Sequence, residues 1–435
     1  MSNQPLPQAA AAAAPPTVPP VAHLASEPSQ GVASAAMAAP GVPQQATVVI
    51  VGAGIIGLSL AFELARRGEE VVVLERSRPG AGASSVAAGM LAPAAEAEHE
   101  DPDLLHLAQE SLRRYPEFVR AIEERSGRSC ELRHEGTLLV ALNRDDEDEL
   151  ERLAAFQRRL GLACAPLTAE QARAREPQLS PRVTAALHAP HDHQVDPAAM
   201  VAALEAAVRA LGGTVVTGFE VTGFETQGGR LAAVVGCRQV GGEAGSPATE
   251  EPTGVRCRVA VLAAGAWSSF GIAWPAEPFT VRPVKGQLVH LQGPELLQHV
   301  VRTPHVYLVP RRGGRLVIGA TMEEMGFDAT PTAGAVMDLL WQARLVVPAI
   351  YDLELAEVKV GFRPATRDHR PLIGPAGVPG LYLATGHFRH GVLLAPATAM
   401  LLAEAIITGA LPPLIAPFSP TRQAPAEALQ TAGSV

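Results

Sequence analysis

The run Thr47-Val-Val-Ile-Val-Gly-Ala-Gly-Ile-Ile-Gly57 decides the fold. Its first five residues are β-branched and almost wholly apolar, which predicts a short parallel strand buried on both faces. Gly52, Gly54 and Gly57 follow at once in G-x-G-x-x-G spacing, and Leu58 to Gly68 reads as a helix stopped by a glycine. Val71-Val-Val-Leu74 is a second buried strand, and Glu75 closes it. Strand, turn, helix and strand take about 30 residues, the length of one βαβ unit. In that context Gly52 permits the tight turn, Gly54 lets the backbone approach a pyrophosphate, and Gly57 lets the helix pack on the strand. The helix N-terminus offers unpaired N–H groups and a partial positive charge, and Glu75 can accept from ribose hydroxyls. A dinucleotide site is therefore expected. The acid at 75 disfavours NADP and leaves NAD and FAD both open.

Gly80-Ala-Gly-Ala-Ser-Ser-Val-Ala-Ala-Gly-Met90 is small and flexible, suited to wrapping a long cofactor whose diphosphate runs on toward a buried ring; this favours FAD. Helices are expected over Pro102 to Glu124, after Asn143, from Pro197 to Gly212, over Ala335 to Leu345 and from Val392 to Thr408. Asp145 to Asp148 reads as a solvated helix start favoured by the macrodipole. Val259 to Ala264 and Leu381 to Thr385 repeat the buried-strand pattern, whereas Leu288–Leu291, Val306–Val309 and Arg315–Ile318 are separated by turns and read as antiparallel. Parallel signals at both ends with antiparallel ones between predict an α/β fold. A discontinuous Rossmann-type domain (46–125, 195–275 and 365–411) would carry an inserted α+β substrate domain (126–194 and 276–364) built on an antiparallel sheet.

Of the 435 residues, positions 1–45 hold 13 Ala and 9 Pro and no Lys or Arg, too few bulky apolar groups for a core. They are expected to be a disordered tail that can be deleted without loss of the cofactor, and 412–435 a C-terminal tail. A formal net charge of -9 without a Lys/Arg-rich block argues against nucleic acid as a partner. The apolar stretch Gly391 to Ala403 is interrupted by Pro396 and falls short of the roughly 20 residues of a spanning helix, so no integral membrane segment is expected. Cys130, Cys164, Cys237 and Cys257 are dispersed without C-x-x-C pairs, as expected of reduced cytoplasmic thiols. His191-Asp-His193 lacks a third ligand, so no metal site is expected.

Gly386-His-Phe-Arg-His-Gly391 joins a strand to a helix, a second place where a helix N-terminus could meet bound negative charge. With this loop, the glycine turn, Ser84-Ser-Val-Ala-Ala-Gly-Met-Leu91, Gln194-Val-Asp-Pro197, Pro283-Val-Lys-Gly286, Tyr307-Leu-Val-Pro-Arg311, Gly319-Ala-Thr-Met322 and Gly361-Phe-Arg-Pro364, the sequence resembles the FAD-dependent amine and D-amino-acid oxidase superfamily. Within it the chain is most similar to the glycine oxidases of thiamine synthesis, from about Ala46 to about Thr408.

The resemblance implies non-covalent FAD held at Ile55, Ile56, Glu75, Arg76, Ser84, Ala88, Gly89, Met90 and Val221, with Gly265 and Gly386 in turns beside it. It further implies contacts along His387, Phe388, Arg389, His390, Gly391, Val392 and Leu393. Ala83 stands where relatives can carry a hydroxylated residue, and His390 where they can have Asn. Arg363 is expected to grip the substrate carboxylate, since a guanidinium stays charged and binds two oxygens at once. Tyr307 would donate to the same carboxylate, Met322 would line a small pocket, and Arg389 would stand nearby. The reaction implied is hydride transfer from Cα of a small amino acid to the flavin, giving an imine that hydrolyses to glyoxylate and ammonia, with O₂ reduced to H₂O₂. A homotetramer and a hand-off to thiazole synthase are also implied. Sarcosine or D-amino-acid oxidation, a quinone-linked dehydrogenase and a flavin-bound assembly protein without turnover are the alternatives.

Overall fold

A computed structural model describes residues 41–96, 101–240, 249–276 and 278–422. The first sheet grows from the opening strand, Gln45–Val51, which pairs in parallel with Val71–Leu74 on one side and Thr249–Leu262 on the other. Its spatial order is Leu372–Pro375, Leu381–Thr385, Thr249–Leu262, Gln45–Val51, Val71–Leu74 and Thr214–Val216. Only the edge strand Leu372–Pro375 on this path runs antiparallel to its neighbour. Phe219–Gln227 and Arg230–Val240 add an antiparallel extension that the sequence reading passed over.

Alternation along the central strand divides the core. Val48 and Ile50 face a cluster built with the helices Ile55–Arg66, Pro102–Ser126, Pro197–Ala210 and Gly391–Thr408, while Val49 and Val51 face a second cluster with Leu262 and Phe219. A strand buried on both faces needs an unbroken apolar run, and each fully buried aliphatic side chain there contributes roughly 1.5–3 kcal/mol.

Helix Gly391–Thr408 has the extent its sequence suggested, with Pro396 accommodated inside it. Pro396 cannot donate to the Val392 carbonyl, and the Tyr115 hydroxyl donates to that oxygen instead, at 2.8 Å. Ser111 Oγ bridges the next rung, donating to the Leu393 carbonyl at 2.6 Å and accepting from the Ala397 N–H. The helix is apolar and long enough to cross a membrane, yet two-thirds of it (67%) is buried within the protein, as a core helix.

The second sheet runs in the order Glu354–Ala365, Arg282–Gln292, Arg315–Gly319, Tyr307–Pro310, Val300–Arg302, Thr137–Ala141, Ala185–Ala189 and Ala165–Thr168. It is antiparallel except where Val300–Arg302 meets Thr137–Ala141 in parallel, because that joint unites two separate excursions of the chain. Helix Ala333–Val346 covers one face through Leu339, Ala343 and Val346. Both sheets belong to one compact unit.

Two boundaries differ from expectation. The proposed N-terminal tail lies outside the described residues up to 40, but Val42 is buried and the Gln44 carbonyl accepts from Arg256, so the fold begins before 46. Residues 412–422 are not a tail. Ile415 and Phe418 are fully buried, and Arg422 pairs with Asp368 at 3.0 Å. Two apolar side chains among prolines gave no periodic signal, yet they fill a gap beside the Gly391–Thr408 helix in the core.

Candidate active site

The order in which the chain adds strands to the first sheet reverses between the parallel neighbours Gln45–Val51 and Thr249–Leu262, and ligands of such sheets bind beyond the strand ends at this point. Gly52, at φ 105°, turns the chain there; any Cβ on it would press on the Ala263 carbonyl. A Cβ on Gly57 would collide with the Gly52 carbonyl, so this glycine sets the helix against the turn and does not itself line the cavity. The Ser84 hydroxyl accepts from the Ile55 N–H at 3.0 Å, which fixes the first helical turn. Glu75 Oε2 accepts from the Ala53 N–H at 2.8 Å and Oε1 from Ser77. Its carboxylate thus also closes the glycine turn, a role its spacing did not disclose.

A cavity of about 680 Å³ opens from this turn and runs between the two sheets. Gly54, Ile55, Ile56, Glu75, Arg76 and Ser84 line one end, with Val221 and Gly265 nearby. Arg76 lies over the Trp267 ring, 5.1 Å from its centroid, an aromatic wall missed in the sequence. Ala88, Gly89 and Met90 line the middle, and His387, Phe388, Arg389, Gly391 and Val392 also border the cavity.

Besides Gly57, three expected contacts lie off the wall. Gly386, at φ 75°, makes the turn against Thr366; His390 precedes the first helical residue; and Leu393 is packed into the core with its carbonyl taken by Ser111. Side chains of a helical turn fan around its axis, so a contiguous run cannot all face the cavity. His387 is buried, bonded to Thr398 at 3.1 Å, and burial lowers its pKa to about 3, so it stays neutral.

At the other end, the second sheet contributes Arg363 and Tyr307. Arg363 donates to the Thr321 carbonyl at 3.0 Å, and its pKa is lowered by burial, partly offset by the electrostatic influence of Tyr307. Burial raises the Tyr307 pKa, so the phenol keeps its proton and can donate. Met322 borders the cavity but is 64% exposed, placing it at the mouth and not in an enclosed pocket.

Glu96 and Arg302 escaped the sequence reading. Glu96 lies on the cavity wall with Oε1 3.2 Å from Arg302 and 3.4 Å from Arg389, and Oε2 3.7 Å from His390 Nδ1. Burial pushes its carboxyl upward, but Arg302, Arg389 and His390 outweigh it and hold the group ionised. The turn that delivers Glu96 is fastened by Asp192, which accepts from the Ala94 and Ala95 N–H groups at 3.2 and 3.0 Å. Asp192 is thus structural, and its neighbour His193 packs edge-on to His134.

These features define a long nucleotide cradle leading to a cationic, tyrosine-bearing end. The cradle suits FAD: glycines stand where a Cβ would fill the turn, Glu75 faces the ribose end, and the interior is large enough to continue past a diphosphate. The chain belongs to the FAD-dependent oxidoreductase family, whose model matches residues 47–405. Over 380 residues it is 35% identical to the glycine oxidase of Geobacillus kaustophilus, covering 86% of this chain and 96% of that protein. The crystal structure of glycine oxidase from Geobacillus kaustophilus superposes with a TM-score of 0.77 at 32% identity, over 88% of this chain and 100% of that one. A bifunctional protein ThiO/ThiG of Trichormus variabilis is 34% identical over 382 residues, 86% of this chain and 55% of that longer protein. The enzyme is an FAD-dependent oxidoreductase of the glycine oxidase type.

Proposed function

We propose that this enzyme oxidises glycine, and small relatives such as sarcosine or small D-amino acids, to the imine, which water converts to glyoxylate and ammonia while O₂ is reduced to H₂O₂. The observation that carries this reading is that Arg363 and Tyr307, from neighbouring parts of the second sheet, line the same cavity as the nucleotide turn. Bound FAD supplies the two-electron acceptor for the substrate Cα–H bond. Arg363 binds the carboxylate as a charged fork, and Tyr307 donates a second bond from its neutral hydroxyl. Two anchors on one carboxylate fix the orientation of the attached Cα, and orientation is the main catalytic contribution asked of the protein. Glu96 holds Arg302 and Arg389 in place on the same wall, so the cavity presents an ordered cationic surface rather than several mobile side chains.

In this reading residues 42–125, 195–275 and 365–422 form the cofactor part, and 126–194 with 276–364 the substrate part. FAD is held non-covalently in this reading, and none of the four cysteines lines the cavity to form a cysteinyl link. The bifunctional relative supports a cytoplasmic hand-off of the imine to a thiazole synthase, and the resemblance supports a homotetramer. Purified enzyme given glycine, sarcosine and D-proline in turn, with peroxide and dye reduction both recorded, tests the assignment. Peroxide with glycine is expected; dye reduction without peroxide on every substrate would replace the oxidase by a dehydrogenase. Arg363→Ala should abolish saturable glycine turnover while leaving the flavin spectrum intact.

A further inference from the structure

We propose that Arg311 is a positioning residue that, from behind the Ala88–Met90 segment, fixes and polarises the peptide facing the flavin. This rests on the reading that the cavity holds FAD. Arg311 ends the strand Tyr307–Pro310 and is 4% exposed. One of its terminal nitrogens donates to Gln194 Oε1 at 3.0 Å and the other to the Ala88 carbonyl. The nearby carboxylate, Asp196, spends its oxygens on the Ala198 and Ala199 N–H groups and on Arg315. Arg311 is therefore a buried cation whose hydrogen bonds end on a neutral carbonyl and a neutral amide, an arrangement that costs desolvation. Burial lowers its pKa to about 10, which still leaves it charged at neutral pH.

The consequence lies across the peptide. In a trans peptide the C=O and N–H point in opposite directions. With the Ala88 carbonyl drawn back to Arg311 and the Gly89 carbonyl bonded to the Val195 N–H at 3.0 Å, the N–H groups of Gly89 and Met90 are turned the other way. Ala88, Gly89 and Met90 all line the cavity. Gly89 has φ 74°, and a Cβ there would come within 2.8 Å of both the Arg311 guanidinium and Pro197, so the peptide is clamped in this one orientation. A charge on the carbonyl also strengthens the N–H as a donor, since hydrogen bonds in series polarise one another. Stronger donors against a flavin ring favour its reduced, electron-rich form.

The test compares the full-length wild type with Arg311→Met and Arg311→Lys. FAD is titrated into each apoprotein by fluorescence, the flavin midpoint potential is measured in each loaded enzyme, and apoprotein melting is recorded. Arg311→Met should weaken FAD binding about tenfold, the factor for one charge-assisted hydrogen bond, and lower the potential, with Arg311→Lys recovering most of both. An unchanged potential in Arg311→Met, or in Gln194→Leu should the Met variant not fold, overturns the proposal, because mere packing would shift melting but not potential. A wild-type apoprotein that takes up no FAD would instead overturn the FAD reading itself.

Discussion

The guanidinium of Arg363 lies against Gly286 on the neighbouring strand, where any Cβ would occupy the space of its terminal nitrogens. Tyr307 rests on Gly319, its register partner, in the same manner. Two glycines in the floor of the second sheet thus set the height of the carboxylate anchors. Gly286→Ala should push Arg363 out of place and raise KM for glycine at least about tenfold, a loss of roughly 1.4 kcal/mol, with melting temperature and flavin content little changed. Steady-state kinetics beside the flavin spectrum checks this; an unchanged KM would move the anchor elsewhere.

Glu75 bonds the Ala53 N–H and also stands on the cavity wall. Glu75→Ala removes the closure of the glycine turn together with the ribose acceptor, so FAD affinity should fall about tenfold or more, and Glu75→Gln, which keeps an acceptor oxygen, should lose less. Titration of apoprotein with FAD gives both values.

Burial raises the Asp192 pKa to about 7, against the ordinary value of 3.8, despite its two backbone hydrogen bonds. The folded state therefore holds this proton more tightly than the unfolded chain. The contribution to stability is fully present below about pH 4 and is lost as pH rises through about 7, with a slope of at most about 1.4 kcal/mol per pH unit. Asp192→Asn cannot ionise. Wild-type stability measured relative to this variant by urea unfolding should fall from pH 5 to 7 and level off above; a flat difference would show that the carboxyl is not held protonated.

Phe418 is fully buried beneath the Arg370 guanidinium, which lies 4.9 Å from its ring and pairs with Asp101 and Asp103 at the start of helix Pro102–Ser126. Phe418→Ala should cost about 3–5 kcal/mol. Denaturant unfolding of the FAD-loaded enzyme measures it, and a cost under about 1 kcal/mol would mean that residues 412–422 are dispensable after all.

Much of the fold could be read locally. Asn143 accepts from the Asp146 N–H and starts helix Arg144–Arg159, while strands Val71–Leu74 and Leu381–Thr385 have the bounds their apolar runs indicate. The cofactor half of the site was legible for the same reason: a glycine's φ, a helix N-terminus and an acid at a strand end are properties of adjacent residues. Helix Gly391–Thr408 marks the limit, since its extent could be read locally but not that Tyr115 and Ser111 arrive from another helix to take up the groups around Pro396.

By itself, then, the sequence determined the βαβ entry and the nucleotide turn, because periodicity and backbone freedom act over a few residues, while Arg363 and Tyr307 came forward as candidates through the motifs that carry the family resemblance. Only the tertiary structure decided that Glu96 meets Arg302 across 206 positions, that Arg311 reaches Ala88 across 223, and that Arg363 stands on a glycine of the next strand. Those pairings depend on sheet register and on which buried charges find partners, and neither is encoded in any short stretch of chain.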